Sequence, residues 1–294
     1  MKQIGGKVAL VTGASRGLGK HIAETLFDHG LKVVVTARNA DELEGVRAAF
    51  DRTGKRSMAI PGDITNAAHR AALVTAIQER FGALDILVNN AGNDHPERFV
   101  DTSLDRIEAM FDLNVTALMD LTRLVLPGML SRGEGHVVNM ASVAGLAPVP
   151  FAANYSATKH AIVGFSQSLR YEVANEGVGV SVVCPGFVRE AGLFHENTGG
   201  ETSQQPTVSP QQVADAVVGA IRGNKDRVIV SPPMLKLTPV VNGLSPAVTA
   251  MAARMTGSYE AMRGIAQRLK EEEASAPAGN GKASPARRRA PKNP

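Results

Sequence analysis

The sequence predicts an α/β protein in which one doubly wound, mostly parallel sheet of seven strands is followed by a helical extension. Apolar, β-branched runs alternate with helical patterns up to residue 231, as expected for a series of βα units. The run Val33–Val35 has no polar member, which is typical of a strand covered by helices on both faces. Crossovers of one hand then place ligand sites beyond the carboxyl ends of the strands.

Each element has an expected position along the chain. The strands are expected near 7–12, 31–37, 57–60, 84–88, 135–141, 178–184 and 227–231. The helices between them are expected near 17–29, 40–53, 66–81, 103–130, 152–176 and 209–222. Two boundaries carry a physical signal, because Ser209-Pro210 suits the start of a helix and Gly30 suits a helix end. Together these elements define a domain over 1–231.

The remaining segments differ in composition from this domain. The polar segment 187–208 predicts a lid or binding loop. The apolar segment 232–273 follows, with a helix expected near 246–270. Its stretch 234–262 can cover a substrate pocket, pair with another subunit or make peripheral contact with a membrane. Residues 274–294 are rich in Ala, Pro, Gly and basic residues and are expected to be disordered.

The net charge of +4 is unevenly distributed. Residues 274–294 hold five Lys and Arg and no acid, which leaves −1 on the other 273 residues, so no nucleic-acid partner is expected. Cys184 is the only cysteine and is expected to be a small buried core residue. A single cysteine, with no signal peptide and no long apolar window, favours a cytoplasmic location. The seven histidines show no metal-ligand spacing, so no metal is expected.

A glycine-rich loop joins the first strand to the first helix. Its glycines permit a tight turn and a close approach of the backbone to a pyrophosphate, which would lie at the helix N-terminus. The alternative is an ordinary turn between a strand and a helix. The residues assigned to cofactor binding here are Gly13, Ser15, Arg16, Gly17, Leu18 and Gly19.

The second strand ends at Thr36-Ala37-Arg38, where sites that select NAD usually place an acidic residue for the ribose 2′-hydroxyl. Arg38 and Arg16 can instead bind a 2′-phosphate through charge-assisted hydrogen bonds. NADP(H) is therefore the expected cofactor, ahead of NAD(H). The alternative is that both arginines are solvated surface charges.

Two further strand ends offer groups to a dinucleotide. Asp63 can accept a hydrogen bond from an adenine amino group, or can act as a turn aspartate. The segment Asn89-Asn90-Ala91-Gly92 can connect neighbouring loops and leave room for a ribose. The cofactor residues assigned here are Asp63, Ile64, Asn90, Ala91 and Gly92.

A tyrosine and a lysine share one face of the helix expected at 152–176. Tyr155 and Lys159 are four residues apart, so the ammonium can favour the phenolate and bring proton exchange toward neutral pH. Ser142 ends the fifth strand and can hold a substrate oxygen, and Asn114 can hold a water linked to Lys159. The alternative, a Tyr-Lys pair on a solvated helix face, is disfavoured by the nearby glycine loop.

These motifs together resemble those of the short-chain dehydrogenase/reductase family over about residues 5–231. The resemblance implies a Rossmann-like fold, a homodimer or homotetramer, and Asn114, Ser142, Tyr155 and Lys159 as the catalytic set. It implies that Tyr155 exchanges the proton, that Lys159 binds the nicotinamide ribose and lowers the tyrosine pKa, and that Ser142 polarises the carbonyl. It adds cofactor contacts at Tyr155, Lys159, Pro185, Gly186 and Val188.

The expected function is NADP(H)-dependent hydride transfer between the nicotinamide and a ketone, aldehyde or secondary alcohol. The chain lacks the Asp-Gly-Gly ending of many members, which argues against the bacterial fatty-acid-synthesis type and favours apolar, lipid-, steroid- or retinoid-like substrates. Glu190 stands where many members have a threonine for the carboxamide, so its carboxylate would either repel the cofactor or face solvent. The alternative function is an NADPH-binding sensor or scaffold without turnover.

Overall fold

The computed structural model, which describes residues 1–198, 207–255 and 257–275, contains one sheet of seven strands with parallel pairing throughout. The strands are β1 (Val8–Thr12), β2 (Lys32–Thr36), β3 (Ser57–Ala59), β4 (Ile86–Asn89), β5 (Gly135–Met140), β6 (Val178–Pro185) and β7 (Arg227–Val230). Their spatial order is β3-β2-β1-β4-β5-β6-β7, so the winding direction reverses between β1 and β4. The predicted doubly wound fold is confirmed, and its switch point is where such sheets bind ligands.

Helices cover both faces of this sheet. They are α1 (Gly17–Asp28), α2 (Ala40–Phe50), α3 (Ala67–Phe81), α4 (Leu104–Phe111), α5 (Ala117–Arg132), α6 (Ala153–Glu172), α7 (Leu193–Asn197), α8 (Pro210–Gly223), α9 (Thr238–Leu244), α10 (Pro246–Met255) and α11 (Ser258–Ser275). Alternate strand residues point to opposite faces, so Val11 and Val33 pack with α1 and α8. Leu10 and Val34 pack instead with α3 and α5. This two-sided burial explains the valine-rich strands.

The predicted start of α8 is confirmed in detail. Pro210 is its first residue, and the Ser209 side chain accepts the Gln212 backbone N–H in a reciprocal capping box. Gly30 follows the end of α1 with φ +84, which a glycine adopts without steric cost. Cys184 is buried in the core, as expected.

Two predicted helices are wrong in extent. The helix expected over 103–130 is interrupted by a wide π turn over Asp112–Thr116. The helix expected over 246–270 is two helices, α10 and α11, and Gly257 lies between them with φ +72. These breaks leave the apolar periodicity intact, which is why the pattern alone predicts continuous elements.

The ends of the extension and the longest helical stretch complete the fold. Helix α11 runs to Ser275, so the first two residues of the expected disordered tail are helical, and 276–294 lie outside the described residues.

Leu104–Arg132 has the length and composition of a membrane-spanning helix, although none was expected. Leu121 and Met129 of this stretch are fully buried in the core beneath the sheet, as in a core helix.

Candidate active site

A cleft of about 910 Å³ opens beyond the carboxyl ends of β1, β2, β4, β5 and β6. The loops that follow these strands line it, together with residues of α7 and α11. Every residue assigned above to catalysis or cofactor binding lines this cleft except Gly19 and Asn114. Both exceptions are buried directly behind its wall, so the fold brings the whole predicted set together.

The glycine loop requires glycines because the backbone of neighbouring segments approaches it closely. Gly13 has φ +65, and a Cβ there would lie 2.8 Å from the Ala91 Cα. A Cβ on Gly19 would lie 2.6 Å from the Asn90 Nδ2 and overlap the Gly13 carbonyl oxygen. Helix α1 begins after Arg16 with no side-chain cap, so its first N–H groups are available to an anion. The loop therefore fits a dinucleotide pyrophosphate.

Hydrogen bonds fix the loop to the end of β4. Asn90 Nδ2 donates to the Thr12 carbonyl oxygen at 2.9 Å and to the Gly13 carbonyl oxygen at 3.2 Å. Thr12 Oγ1 accepts the backbone N–H groups of Asn90 and Ala91 at 3.0 and 2.9 Å. The predicted role of the amides in connecting loops is confirmed for Asn90. Thr12 was not assigned to the site. Its position immediately before the first glycine of the loop could have indicated this role.

The two basic residues assigned to the 2′-phosphate lie at the rim of the cleft. Arg38 follows β2 and is exposed, and the side chain of Arg16 is 70% exposed. Arg16 also pairs with Glu196 of α7 at 3.3 Å, a contact that the sequence pattern did not indicate. Both guanidinium groups are therefore available to a ligand, although Arg16 must exchange one partner for another.

Two acidic residues singled out from the sequence have different surroundings. Asp63 accepts the backbone N–H and the hydroxyl of Thr65 at 2.9 and 2.8 Å, as a turn aspartate does. Glu190 has φ +66, and its side chain is 72% exposed and pairs with Arg189 at 3.3 Å. The carboxylate of Glu190 thus faces solvent, which is one of the two outcomes considered.

The tyrosine, lysine and serine converge where β5 and β6 end. Lys159 Nζ donates to the Met140 carbonyl oxygen at 2.9 Å and lies 5.4 Å from the centroid of the Tyr155 ring. Ser142 Oγ lies 3.4 Å from the Pro185 carbonyl oxygen, to which it can donate, and it is close enough to the Tyr155 phenol to lower the pKa of that phenol. A hydroxyl, a phenol and an ammonium thus share one end of the cleft, where they can bind and protonate an oxygen.

Burial controls the proton affinities of these groups. Burial lowers the pKa of Lys159 to about 8, against the opposing charge of Asp94. Burial also raises the pKa of Tyr155 above its ordinary value, Asp94 adds to the rise, and the Ser142 hydrogen bond opposes it. The expectation that Lys159 brings the phenol toward neutral pH is therefore wrong for the protein alone, because burial and the charge of Asp94 raise the tyrosine pKa. The phenol keeps its proton and is a donor.

Asn114 lies in the π turn, behind Gly92. Its Nδ2 donates to the Asn93 carbonyl oxygen at 2.9 Å and to Thr158 Oγ1 at 3.1 Å, and its Oδ1 accepts the Asn93 N–H at 2.9 Å. One lone pair of Oδ1 remains for another donor. A Cβ on Gly92 would lie 3.0 Å from Oδ1 and 3.7 Å from Lys159 Nζ. The water link between Asn114 and Lys159 stays a prediction.

The extension divides into two parts. Met262 and Ile265 of α11 line the cleft, which is compatible with the first of the three roles considered for 234–262, covering a substrate pocket; that role stays a prediction. Helices α9 and α10 instead expose apolar side chains to solvent, including Leu244 and Met255. The contact of α11 with the cleft therefore does not explain why α9 and α10 expose apolar side chains.

Ion pairs attach α11 to α4 and to the segment between β4 and α4. Arg106 pairs with Glu273 at 2.9 Å and with Glu97 at 2.6 Å, and Lys270 pairs with Asp101 at 3.0 Å. His95 also faces Glu273, at 3.4 Å. His195 lies in α7. Neither histidine lines the cleft.

Asp94 lines the cleft and was not among the residues assigned from the sequence. Its Oδ1 is buried and has no hydrogen-bond partner among the described residues, and burial raises its pKa to about 7. Its position two residues after Asn-Asn-Ala-Gly was the only sequence feature that could have indicated a place in the cleft.

Within the described ranges, no three His, Cys, Asp or Glu side chains are grouped as metal ligands.

Comparisons with known proteins agree with this geometry. The family model for short chain dehydrogenases matches residues 7–201. The chain is 39% identical over 231 residues to ketoacyl reductase HetN of Nostoc sp. strain PCC 7120, covering 79% of this chain and 80% of HetN. It is 37% identical over 218 residues to the 3-oxoacyl-(acyl-carrier-protein) reductase FabG of Vibrio cholerae, covering 72% of this chain and 88% of FabG.

Two solved structures share the fold. Actinorhodin polyketide ketoreductase with NADPH has a TM-score of 0.71 and 33% identity, covering 77% of this chain and 96% of its own. A short chain dehydrogenase/reductase of Burkholderia phymatum with NAD has a TM-score of 0.74 and 28% identity, covering 84% and 96%. The family model, the relatives and the shared architecture lead to one conclusion: this chain belongs to the short-chain dehydrogenase/reductase family of oxidoreductases.

Proposed function

We propose that this protein is an NADP(H)-dependent reductase of a ketone carried on an apolar molecule. One observation carries the proposal: the neutral Tyr155 phenol, Ser142 and Lys159 lie in the same cleft as the glycine loop. HetN, FabG and the actinorhodin enzyme are named as ketoacyl, oxoacyl and polyketide ketone reductases, which supports the direction of the reaction.

The side chains suggest how the ketone is handled. Ser142 and Tyr155 would both donate hydrogen bonds to the ketone oxygen, and Tyr155 would then transfer its proton to that oxygen. A bound NADPH supplies the hydride that reduces the carbon. Lys159 would favour the phenolate left behind, because its ammonium is held beside the ring by the Met140 carbonyl.

The choice of NADP(H) rests on the rim of the cleft. Arg16 and Arg38 are exposed there, and Ala37 between β2 and Arg38 offers no carboxylate for a ribose 2′-hydroxyl. The two structural neighbours were solved with different cofactors, NADPH and NAD, so they leave this choice open.

The proposal of an apolar substrate is based on apolar side chains that line the cleft. Met262 and Ile265 line the cleft together with Val149 and Phe194. Lipid-like chains are apolar, and so are the acyl chains in the names of the ketoacyl and oxoacyl reductase relatives. A homodimer or homotetramer and a cytoplasmic location stay predictions.

The test is titration of the purified protein with NADPH and with NADH, followed by NADPH oxidation against a panel of apolar ketones and aldehydes. Tight NADPH binding with turnover of an apolar ketone is the expected result. Tight binding with no turnover of any member of the panel would favour the sensor or scaffold instead.

A further inference from the structure

The short helix α7 places a carboxylate beside the glycine loop. Glu196 Oε2 lies 3.3 Å from Arg16 Nη2, and both side chains line the cleft. A Cβ on Gly17, the first residue of α1, would lie 3.9 Å from Glu196 Oε1 and 3.5 Å from the backbone N of Gly192. An acidic group from a distant segment therefore lies where the loop is expected to hold the anionic part of the cofactor.

The ion pair between Arg16 and Glu196 is open to exchange. The Glu196 side chain is one-third exposed and that of Arg16 is exposed for most of its surface. Pairs that water reaches this easily contribute little to stability. A phosphate can replace a carboxylate on a guanidinium group, because it accepts the same charge-assisted, two-point hydrogen bonds. A cofactor 2′-phosphate can therefore bind Arg16, but the existing pair must break first.

Other contacts keep α7 close to the loop. Arg268 of α11 donates to the Thr198 carbonyl oxygen at 2.8 Å, just beyond the end of α7. The rings of Phe194 and Phe187 pack with their centroids 4.5 Å apart. These contacts are independent of the ion pair, so they hold Glu196 in place when the guanidinium group turns toward a ligand. The carboxylate of Glu196 thus remains a competitor for that group.

We propose that Glu196 is a specificity-determining residue that competes with the cofactor 2′-phosphate for Arg16 and so reduces the preference for NADP(H) over NAD(H). NAD(H) lacks this phosphate, and its binding does not require the pair to break. The inference rests on the proposed NADP(H) specificity and deepens it, because the chain then carries its own acidic competitor for one of the two arginines that read the phosphate.

The test measures the dissociation constants of NADPH and NADH by isothermal titration at about 50 mM salt, where ion pairs are only weakly screened. The quantity compared is the ratio of the NADH constant to the NADPH constant. The proteins are the wild type, Glu196→Gln, Arg16→Gln and the double variant. Glu190→Gln is the matched control, because Glu190 lies in the same segment, pairs with Arg189 at 3.3 Å and does not line the cleft.

Glu196→Gln is expected to raise the ratio about threefold to tenfold, because the competing charge is lost while the shape stays nearly the same. Glu190→Gln should leave the ratio within about twofold of wild type. Arg16→Gln should lower the ratio. Adding Glu196→Gln to Arg16→Gln should then change the ratio by less than about twofold, since the contested group is gone. Retained NADH binding shows that each variant is folded.

An unchanged ratio in Glu196→Gln would overturn the inference. A rise of the same size in the Arg16→Gln background would also overturn it, because the effect would then be general charge repulsion. An unchanged ratio in Arg16→Gln would mean that Arg16 does not bind the 2′-phosphate, and the inference would fail with it. If the wild type binds neither cofactor, the proposed function fails first. If the wild type prefers NADPH and Glu196→Gln has no effect, the proposed function stands and only the inference about Glu196 fails.

Discussion

Lys159 Nζ donates to the Met140 carbonyl oxygen at 2.9 Å, at the last residue of β5 and two residues before Ser142. The sheet thus holds the ammonium in place from one side, while the same Nζ lies 5.4 Å from the Tyr155 ring centroid. The position of Lys159 beside the phenol is therefore a property of the folded chain. It does not require a bound ligand.

Tyr155→Phe is expected to lower kcat for ketone reduction at least hundredfold, because the proton donor is lost while the ring remains. The dissociation constant for NADPH should stay within a few-fold of wild type. Stopped-flow or steady-state NADPH oxidation and fluorescence titration measure the two quantities. Tyr171→Phe is the matched control, since Tyr171 lies on the same helix and is 81% exposed. Retained turnover in Tyr155→Phe would remove the phenol from the mechanism.

The pH dependence of reduction should report on Lys159. Its pKa is lowered to about 8 by burial, so its charge is complete well below pH 8 and is lost as the pH rises through that value. We expect kcat/KM for reduction to fall above about pH 8. Lys159→Met, which never carries the charge, should be slow and show no such limb, and a limb at the same pH in this variant would assign the titration to another group.

Arg38→Asp should discriminate between the two cofactors. Loss of a charge-assisted hydrogen bond, together with a new repulsive charge, is expected to weaken NADPH binding about tenfold to a hundredfold and to leave NADH nearly unchanged. Isothermal titration with each cofactor measures this difference. Arg52→Asp makes the same charge change at an exposed position that does not line the cleft. Equal effects on both cofactors would mean that Arg38 does not contact the 2′-phosphate.

Asp51 should stabilise the fold in a pH-dependent manner. Burial opposes its ionisation, but hydrogen bonds from the Thr53 and Ser57 hydroxyls and from the backbone N–H groups of Thr53 and Arg56 lower its pKa to about 2. The folded pKa lies below the unfolded value of about 3.9, so this stabilisation is present above about pH 4 and is lost as the pH falls toward 2.

The corresponding variant is Asp51→Asn. It should lose about 2 kcal/mol of unfolding free energy near pH 7, and this deficit should shrink as the pH is lowered toward 2. Urea unfolding at several pH values measures it. Asp226→Asn, at an exposed aspartate, should change little. A deficit in Asp51→Asn that is independent of pH would mean that the charge of Asp51 contributes nothing.

The features that could be predicted from the sequence are those set by local periodicity. The valine runs predict buried parallel strands, and the four-residue spacing of Tyr155 and Lys159 predicts their shared helix face. The π turn at Asp112–Thr116 could not be predicted in this way, because one wide turn barely changes the apolar repeat. The pKa of Tyr155 depends on burial, which comes from distant segments.

Contacts between distant segments were also beyond the sequence pattern. Arg16 meets Glu196 because α7 lies against the start of α1, and the orphaned Oδ1 of Asp94 is evident only once the loop is packed. Both depend on where loops lie in three dimensions, which composition and spacing do not encode.

Helix α11 lies outside residues 7–201, the part of the chain that the family model matches. Yet Met262 and Ile265 of this helix form part of the wall of the cleft. The segment that forms this wall can therefore change without altering the glycine loop or Tyr155 and Lys159. Two related chains could keep the same catalytic residues and differ in the substrates they accept, through replacement of α11 alone.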